Sequence, residues 1–183
     1  MDLFHIDLLY QTLLLGKFSR ALEIGCYAGV SSQAFLRALE SNVLGGVTFC
    51  DTSIRYDFPQ DPRIMVMQCP SRDVIDGSYD FALVDGDHTL PVVAVEAMLL
   101  LYHGIDTIVA HDTLAARVGF PECDGPPVLR EVLRRCGYHI LEDARARDRM
   151  RTDRGFMVAT RREDLANALR PYFDPESVKQ PVP

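Results

Sequence analysis

The sequence predicts a single α/β domain built on a mostly parallel sheet with helices on both faces. Short apolar runs alternate with helical segments along most of the chain, as in folds where each helix connects two parallel strands. Many of these runs end on acidic or polar side chains, where open α/β sheets place their functional residues. The 183 residues, 48% of them hydrophobic, match the size and core of one domain.

Helix and strand signals follow one another from the start of the chain. Residues 3–15 place apolar side chains at helical spacing, and Gly16 stands where that helix would end. Pro91 and Gly104 mark the start and the end of a later helix. The tail over residues 171–183 is rich in proline, and we expect it to fray. The predicted helices span residues 3–15, 31–39, 91–102, 128–136 and 163–169, and the predicted strands span residues 21–24, 43–50, 64–68, 81–84, 107–110, 138–141 and 156–160.

Composition narrows the range of partners and cellular locations. The chain has 19 Lys and Arg against 26 Asp and Glu, a net charge of -7 that opposes general nucleic-acid binding. Its five cysteines are widely spaced without a C-x-x-C pair, which predicts reduced thiols rather than disulfides or a zinc knuckle. No apolar run approaches the roughly 20 residues that cross a bilayer. We therefore expect a soluble cytoplasmic protein that binds small molecules, with neither nucleic acid nor membrane as a partner.

The most informative segment is ALEIGCYAGVSS, over residues 21–32. It predicts a buried strand that turns sharply into a helix. We expect Gly25 to adopt a positive φ and to let a ligand approach the backbone, and Gly29 to let the helix pack closely on the strand. Glu23, before the turn, suits a ligand with a positive charge. The spacing also differs from the three-glycine dinucleotide fingerprint, which binds a pyrophosphate.

Polar side chains also collect where the later strands end. Asp51 follows the second strand, where related folds place a carboxylate that accepts both ribose hydroxyls. The fourth strand runs into the sequence D-G-D-H and the fifth into H-D-T. The residues that carry chemistry in these two segments are Asp85, Asp87, His88, His111 and Asp112.

Together, the E-x-G-x-x-x-G pattern and these two segments resemble the class I methyltransferases that depend on S-adenosylmethionine (SAM). The similarity spans residues 21–113 and is greatest to small-molecule and sugar O-methyltransferases of the macrocin O-methyltransferase and cephalosporin hydroxylase type. The resemblance implies a Rossmann-like, doubly wound sheet of seven strands in the order 3-2-1-4-5-7-6, the last strand antiparallel. It also implies methyl transfer from SAM to a small hydroxylated molecule. Residues 113–127 are expected to form a lid over that acceptor, with the N-terminal helix and a second subunit of a homo-oligomer as further candidates for its pocket.

The resemblance further assigns roles to single residues of the cofactor site. Glu23 and Gly25 would line the methionine end of SAM, Asp51 would hold the ribose, and the turn at residues 69–71 would flank the adenine. Many relatives have an acid after the third strand, but none occurs here before Asp73, which leaves the adenine contact open. The predicted cofactor contacts are Glu23, Gly25, Cys26, Tyr27, Gly29, Asp51, Thr52, Ser71 and Asp85.

The similar metal-dependent enzymes bind magnesium through the first aspartate of D-G-D and an acidic pair after the fifth strand, with the second aspartate as base. Carried over, this implies Asp85, His111 and Asp112 as metal ligands and Asp87 as the base. Imidazole suits zinc, iron, manganese or nickel better than magnesium, so the identity of a divalent metal stays open. A metal-free site with His111 or His88 as the base is the alternative.

Three other functions also have some support in the sequence. Asp85, Asp87 and Thr89 fit the D-x-D-x-T pattern of haloacid-dehalogenase-like phosphatases, but Lys17 and Lys179 are poorly placed to hold a phosphate. An NAD(P)-dependent oxidoreductase on a similar sheet would need a third glycine at dinucleotide spacing. A cofactor-binding or interaction protein without catalytic activity is the third alternative.

Overall fold

Seven short strands form one sheet in the computed structural model, which describes residues 3–115, 119–143 and 154–173. The strands are β1 (Ala21–Ile24), β2 (Val47–Asp51), β3 (Ile64–Gln68), β4 (Phe81–Val84), β5 (Thr107–His111), β6 (His139–Asp143) and β7 (Phe156–Thr160). Their order across the sheet is β3-β2-β1-β4-β5-β7-β6. Strands β1 to β5 are parallel, whereas β7 runs antiparallel to both β5 and β6. The predicted strand order and the antiparallel last strand are confirmed.

The helices form two layers, one on each face of the sheet. They are α1 (Leu3–Gly16), α2 (Ser32–Glu40), α3 (Leu90–Tyr102), α4 (Gly125–Arg135) and α5 (Glu163–Phe173). Helices α1, α2 and α5 share one buried apolar cluster, and α3 and α4 share the other. Within the described ranges, no helix is long and apolar enough to cross a membrane.

The central strands are buried on both faces, and this explains why they read as continuous apolar runs. In β4, Phe81 and Leu83 belong to the cluster under α1, α2 and α5, whereas Ala82 and Val84 belong to the cluster under α3 and α4. Successive side chains of a strand point to opposite faces, so a strand covered by two helical layers needs no polar alternation. Full burial of each large apolar side chain contributes about 1.5–3 kcal/mol.

Helices α4 and α5 extend beyond their predicted bounds through turns that contain proline. Helix α4 begins at Gly125, three residues before the predicted start, with Pro126 and Pro127 in its first turn. Proline is tolerated there because the first N–H groups of a helix have no intrahelical partner. Helix α5 includes Pro171 and continues to Phe173, so the prediction of a frayed tail from residue 171 was wrong for its first three residues. Residues 174–183 lie outside the described part of the chain.

The predicted strand over residues 43–50 begins only at Val47. Val43 donates its N–H to the carbonyl oxygen of Ala38 at 3.0 Å, and Gly45 donates to Phe18 at 3.1 Å. These bonds tie the segment to the end of α2 and to the loop before β1. The backbone N–H groups of Val43 and Gly45 are therefore already hydrogen-bonded outside the sheet, and pairing with the neighbouring strands begins later, at Val47.

Gly25 lies where the loops after β1, β2 and β4 meet. Its φ is +93°, as predicted, and a Cβ there would lie 2.2 Å from the carbonyl oxygen of Asp85. The Gly25 N–H donates to Cys50 at 2.8 Å, and the Asp85 N–H donates to Ile24 at 2.9 Å. A residue without a side chain thus lets two strand ends touch through their backbones.

We predict that Gly25→Ala lowers the free energy of unfolding by about 3 kcal/mol or more, because it adds a backbone clash to the strain of positive φ. Gly104→Ala is the matched control, since Gly104 has a φ of +70° and no atom within 4 Å of a built Cβ. That variant should lose only about 1 kcal/mol. If urea unfolding showed equal losses of free energy for the two variants, the close contact with Asp85 would not be what requires a glycine at position 25.

Candidate functional site

A cavity of about 690 Å³ opens over the carboxyl ends of the strands. Residues of helix α3, of the turn after β3 and of the turn after β1 line it. Ligands of open α/β sheets bind at this edge. Seven residues predicted to belong to the site line the cavity: Gly25, Tyr27, Asp51, Thr52, Ser71, Asp85 and Asp87.

Three predicted cofactor contacts do not line this cavity. The carboxylate of Glu23 is fully buried and accepts hydrogen bonds from the hydroxyls of Ser31 and Ser32. Cys26 is also buried, and burial raises the pKa of its thiol to about 12. Gly29 has a φ of +75°, and a Cβ there would lie 2.4 Å from the Tyr56 ring. Gly29 therefore makes room for an aromatic side chain, not for close packing of helix on strand as we had expected.

Asp51 is well placed to accept hydrogen bonds from a ligand. Its Oδ2 atom accepts the Tyr27 N–H at 2.9 Å, and its Oδ1 atom accepts the Ser53 N–H at 2.9 Å. A carboxylate has about four lone-pair sites, so two remain for further donors. The backbone bonds also fix the carboxylate at the cavity wall. This arrangement suits the predicted bidentate contact with ribose hydroxyls.

A compact cluster of Asp85, His88, His111 and Asp112 lies at the ends of the neighbouring strands β4 and β5. One ligand atom from each residue lies within 4.8 Å of all the others. His88 Nε2 is 2.5 Å from Asp112 Oδ2, and His111 Nδ1 is 3.1 Å from Asp112 Oδ1 and 3.3 Å from Asp85 Oδ1. The structure thus brings the three predicted metal ligands together and adds His88 to them.

The charges within the cluster are strongly coupled. Burial by itself lowers the pKa of His111, but the nearby Asp85 and Asp112 raise it to about 9. Burial would raise the pKa of Asp112, yet contacts with His111 and His88 hold it well below its ordinary value. An imidazole that keeps its proton at neutral pH is a poor general base. This disfavours His111 for the base role in the absence of a cation.

The cluster has the donors that a divalent cation requires. His88 Nδ1, His111 Nδ1 and Asp112 Oδ1 are buried and form no hydrogen bond of good geometry with any described residue. Two imidazoles and two carboxylates form a donor set that transition metals and zinc accept readily, whereas magnesium prefers oxygen ligands alone. The residues therefore fit a divalent cation, and their chemistry favours zinc, iron, manganese or nickel.

Two side chains distant in sequence also reach the cluster, and the sequence patterns did not single them out for it. His5 on α1 is buried, and its Nδ1 atom lies 3.1 Å from His111 Nε2. Its Nε2 atom lies 4.0 Å from an oxygen of Asp143 at the end of β6. From the other side, Arg154 Nε lies 3.2 Å from Asp112 Oδ1. A partner for the second ring nitrogen fixes the orientation of a metal-binding histidine.

The described parts of the segment over residues 113–127 border this cluster. Asp124 accepts the Leu90 N–H at 2.7 Å, and the Gly125 N–H donates to the carbonyl of His88 at 2.9 Å. Thr113 is buried, whereas residues 116–118 lie outside the described part of the chain. The segment is therefore attached to the start of α3 beside the cavity. Its role as a lid stays a prediction.

Comparison with known proteins identifies the family. Residues 22–114 match a family described as a methyltransferase domain. The chain belongs to this family. No curated protein matches its sequence.

Solved structures of methyltransferases share the fold at low sequence identity. The O-methyltransferase from Bacillus cereus in complex with S-adenosylhomocysteine (SAH) has a TM-score of 0.63 and 15% identity, covering 88% of this chain and 82% of that chain. TomG from Streptomyces achromogenes, an O-methyltransferase of tomaymycin synthesis solved with SAM, has a TM-score of 0.65 and 16% identity, covering 87% and 80%. MycE from the mycinamycin pathway, solved with Mg, SAH and mycinamycin VI, has a TM-score of 0.51 and 18% identity, covering 78% and 44%. The predicted methyltransferase family and its class I fold are confirmed.

We predict that Glu23 makes stability depend on pH. Burial raises its pKa to about 8, against 4.5 for an ordinary glutamate, although the bonds from Ser31 and Ser32 act in the opposite direction. Between these two pH values the folded state holds more protons than the unfolded state, so the free energy of unfolding falls as pH rises. The slope contributed by one proton is about 1.4 kcal/mol per pH unit.

Urea unfolding of the wild type and Glu23→Gln at pH 5, 6.5 and 8 measures this contribution. The amide keeps the shape of the side chain and does not titrate, so the wild type should lose stability relative to the variant as pH rises. Glu40→Gln, at an exposed position at the end of α2, should run parallel to the wild type. If Glu23→Gln also ran parallel, Glu23 would be ionised in the fold.

Proposed function

We propose that the protein transfers the methyl group of SAM to a hydroxyl oxygen of a small molecule. The observation that carries this proposal is that Gly25, Asp51 and Asp85 line a single cavity in a methyltransferase domain. SAM would lie with its methionine end at the turn after β1 and its ribose at Asp51. Its adenine would extend toward Ser71. Asp85 belongs to both the cavity and the cluster, so the methyl group would face the cluster.

Methyl transfer mainly requires that the acceptor oxygen, the methyl carbon and the sulfur be held in line. The acceptor oxygen attacks the methyl carbon, the bond from carbon to sulfur breaks, SAH leaves, and the acceptor proton passes to a base. An in-line displacement is accelerated chiefly by holding the reactants in position. Asp87 is the proposed base because it lines the cavity next to Asp85. Hydrogen bonds from Thr89 lower the pKa of Asp87, so it would take the proton only as the new bond forms.

The cluster would hold a divalent cation through Asp85, His88, His111 and Asp112. Such a cation would polarise the acceptor hydroxyl and fix its orientation. His88 and His111 would then be occupied as ligands, which leaves Asp87 as the base. In a site without a cation, His88 would take that role, because the carboxylates of Asp85 and Asp112 raise the pKa of His111 and keep it protonated.

A small acceptor agrees with the charge and with the fold relatives. The net charge of -7 opposes binding of nucleic acid. The MycE structure holds mycinamycin VI, and TomG takes part in tomaymycin synthesis. The acceptor pocket would be formed by residues 113–127, by α1 and by a second subunit. We also propose a cytoplasmic location, on the basis of the widely spaced cysteines.

Binding of SAH tests the cofactor site. SAH should raise the melting temperature because it binds only the folded state, and NAD should not. Asp51→Asn should weaken SAH binding by roughly ten- to a hundredfold, since the ribose hydroxyls lose a charged acceptor. Asp57→Asn, an exposed position just beyond β2, is the matched control. A wild type that millimolar SAH does not stabilise would contradict the proposed function.

Metal analysis and a labelled-methyl assay test the cluster and the base separately. Protein purified without chelator should carry roughly one divalent cation per chain, and His111→Ala should lose it. Asp87→Asn should keep the cation and the affinity for SAH, yet slow methyl transfer to small hydroxylated compounds by about 10²- to 10⁴-fold. His103→Ala, at the end of α3, controls for the loss of a histidine.

Three results would contradict these assignments. Wild-type protein that contains no divalent cation and whose methyl transfer survives EDTA would leave the cluster as an orienting group only. Undiminished transfer by Asp87→Asn would move the base role to His88. Label appearing in RNA or protein instead of small molecules would overturn the acceptor class.

A further inference from the structure

Glu96 is a buried acid at the cavity wall that the mechanism above does not use. It lies on α3, is 1% exposed, and lines the cavity. The Ser71 hydroxyl donates to its Oε1 atom at 2.6 Å. Its Oε2 atom is buried and has no hydrogen-bond partner among the described residues. Buried carboxylate oxygens are nearly always paired, so this atom indicates a donor that a ligand would supply.

The position of Glu96 along the cavity identifies which part of SAM it meets. The sheet order places the ends of β4, β1, β2 and β3 side by side. Asp85 follows β4, Asp51 ends β2, and Ser71 lies in the turn after β3. A cofactor with its methyl group at Asp85 and its ribose at Asp51 therefore extends its base toward Ser71 and Glu96.

We propose that Glu96 accepts a hydrogen bond from the exocyclic amino group of adenine and thereby selects an adenine cofactor, an inference that rests on the proposed function. The ribose hydroxyls are assigned to Asp51 and the ammonium group lies at the opposite end of SAM. The adenine amino group is the donor that remains for this end of the cavity. Helix α3 would thus supply the acid that the turn after β3 lacks.

Asp73 is the competing acid, because it is the first acidic residue after β3. It is exposed, it lies 3.8 Å from the guanidinium of Arg72, and it does not line the cavity. Arg72 and the solvent therefore already compensate the negative charge of Asp73. Glu96 differs in both respects, since it is buried and only one of its oxygens is paired.

The protonation state of Glu96 determines the pH at which the test should be run. Burial raises the pKa of Glu96 to about 7, while the Ser71 bond and the nearby His88 lower it and Asp87 raises it. A protonated Glu96 could donate to a purine with an oxo group at the same position. Titrations at pH 8.5, where the acid is ionised, separate an amino group from an oxo group most clearly.

Calorimetric titration with SAH and with S-inosylhomocysteine, in which an oxo group replaces the adenine amino group, measures the selection. The wild type should bind SAH at least roughly tenfold more tightly. In Glu96→Gln this ratio should fall to about one, because the amide can accept from Ser71 and still donate to the oxo group. Asp73→Asn is the matched control and should keep the wild-type ratio.

The outcomes separate this proposal from the proposed function. A wild type that binds neither compound overturns the cofactor assignment itself. A wild type that binds both equally, or a Glu96→Gln variant that keeps the ratio, overturns the role of Glu96 and leaves the SAM site standing. Loss of the ratio in Asp73→Asn alone would assign the adenine to Asp73. If Glu96→Gln does not fold, Glu96→Asp should lower the ratio by retracting the acid, and an unchanged ratio would overturn the proposal.

Discussion

The backbone contact between the turn after β1 and the turn after β4 sets the geometry of the whole site. Gly25 can make this contact because it has no side chain to meet the Asp85 carbonyl. With the two turns in contact, Asp85 reaches both the cavity and the cluster of histidines and aspartates. One aspartate therefore marks the point at which a bound cofactor and an acceptor would meet. The chemistry depends on that proximity because methyl transfer is mainly a problem of alignment.

The buried acids Glu23, Asp112 and Glu96 have hydrogen-bond partners for their oxygens to different extents, and the differences show where ligands are expected. Burying a carboxylate is costly unless it is paired or hydrogen-bonded. Each carboxyl oxygen of Glu23 accepts a hydrogen bond from a serine hydroxyl, so the hydrogen bonding of this side chain is complete and stabilises the turn. Asp112 is held among imidazoles that a cation could also engage. Glu96 has a donor for only one oxygen. The two acids with an unpaired oxygen are the one in the cluster and the one that lines the cavity, as expected if ligands supply the missing partners.

The sequence was sufficient for the sheet and for much of the site, because both depend on local patterns. Apolar runs located all seven strands, and the residues that end them include Asp51, Asp85 and His111. The strand order came only through the resemblance to methyltransferases. Glu96 was missed because α3 reads as an apolar helix, LPVVAVEAMLLLY, and only the tertiary fold places its one acid beside Ser71. Glu23 was expected to face the ligand, although Ser31 and Ser32 nearby were a signal that its carboxylate could be satisfied internally.

The two halves of the site come from different parts of the chain, and this has a consequence for acceptor specificity. The residues proposed to bind SAM, from Gly25 to Glu96, lie within the family match over residues 22–114. The partners that surround the cluster from outside, His5, Asp143 and Arg154, lie beyond that match on α1, on β6 and before β7. A shared domain can therefore keep the cofactor half constant while the outer elements change. Because His5 contacts His111 directly, a change in α1 would reach the cluster beside which the acceptor is proposed to bind, while the residues proposed to bind SAM lie on other elements.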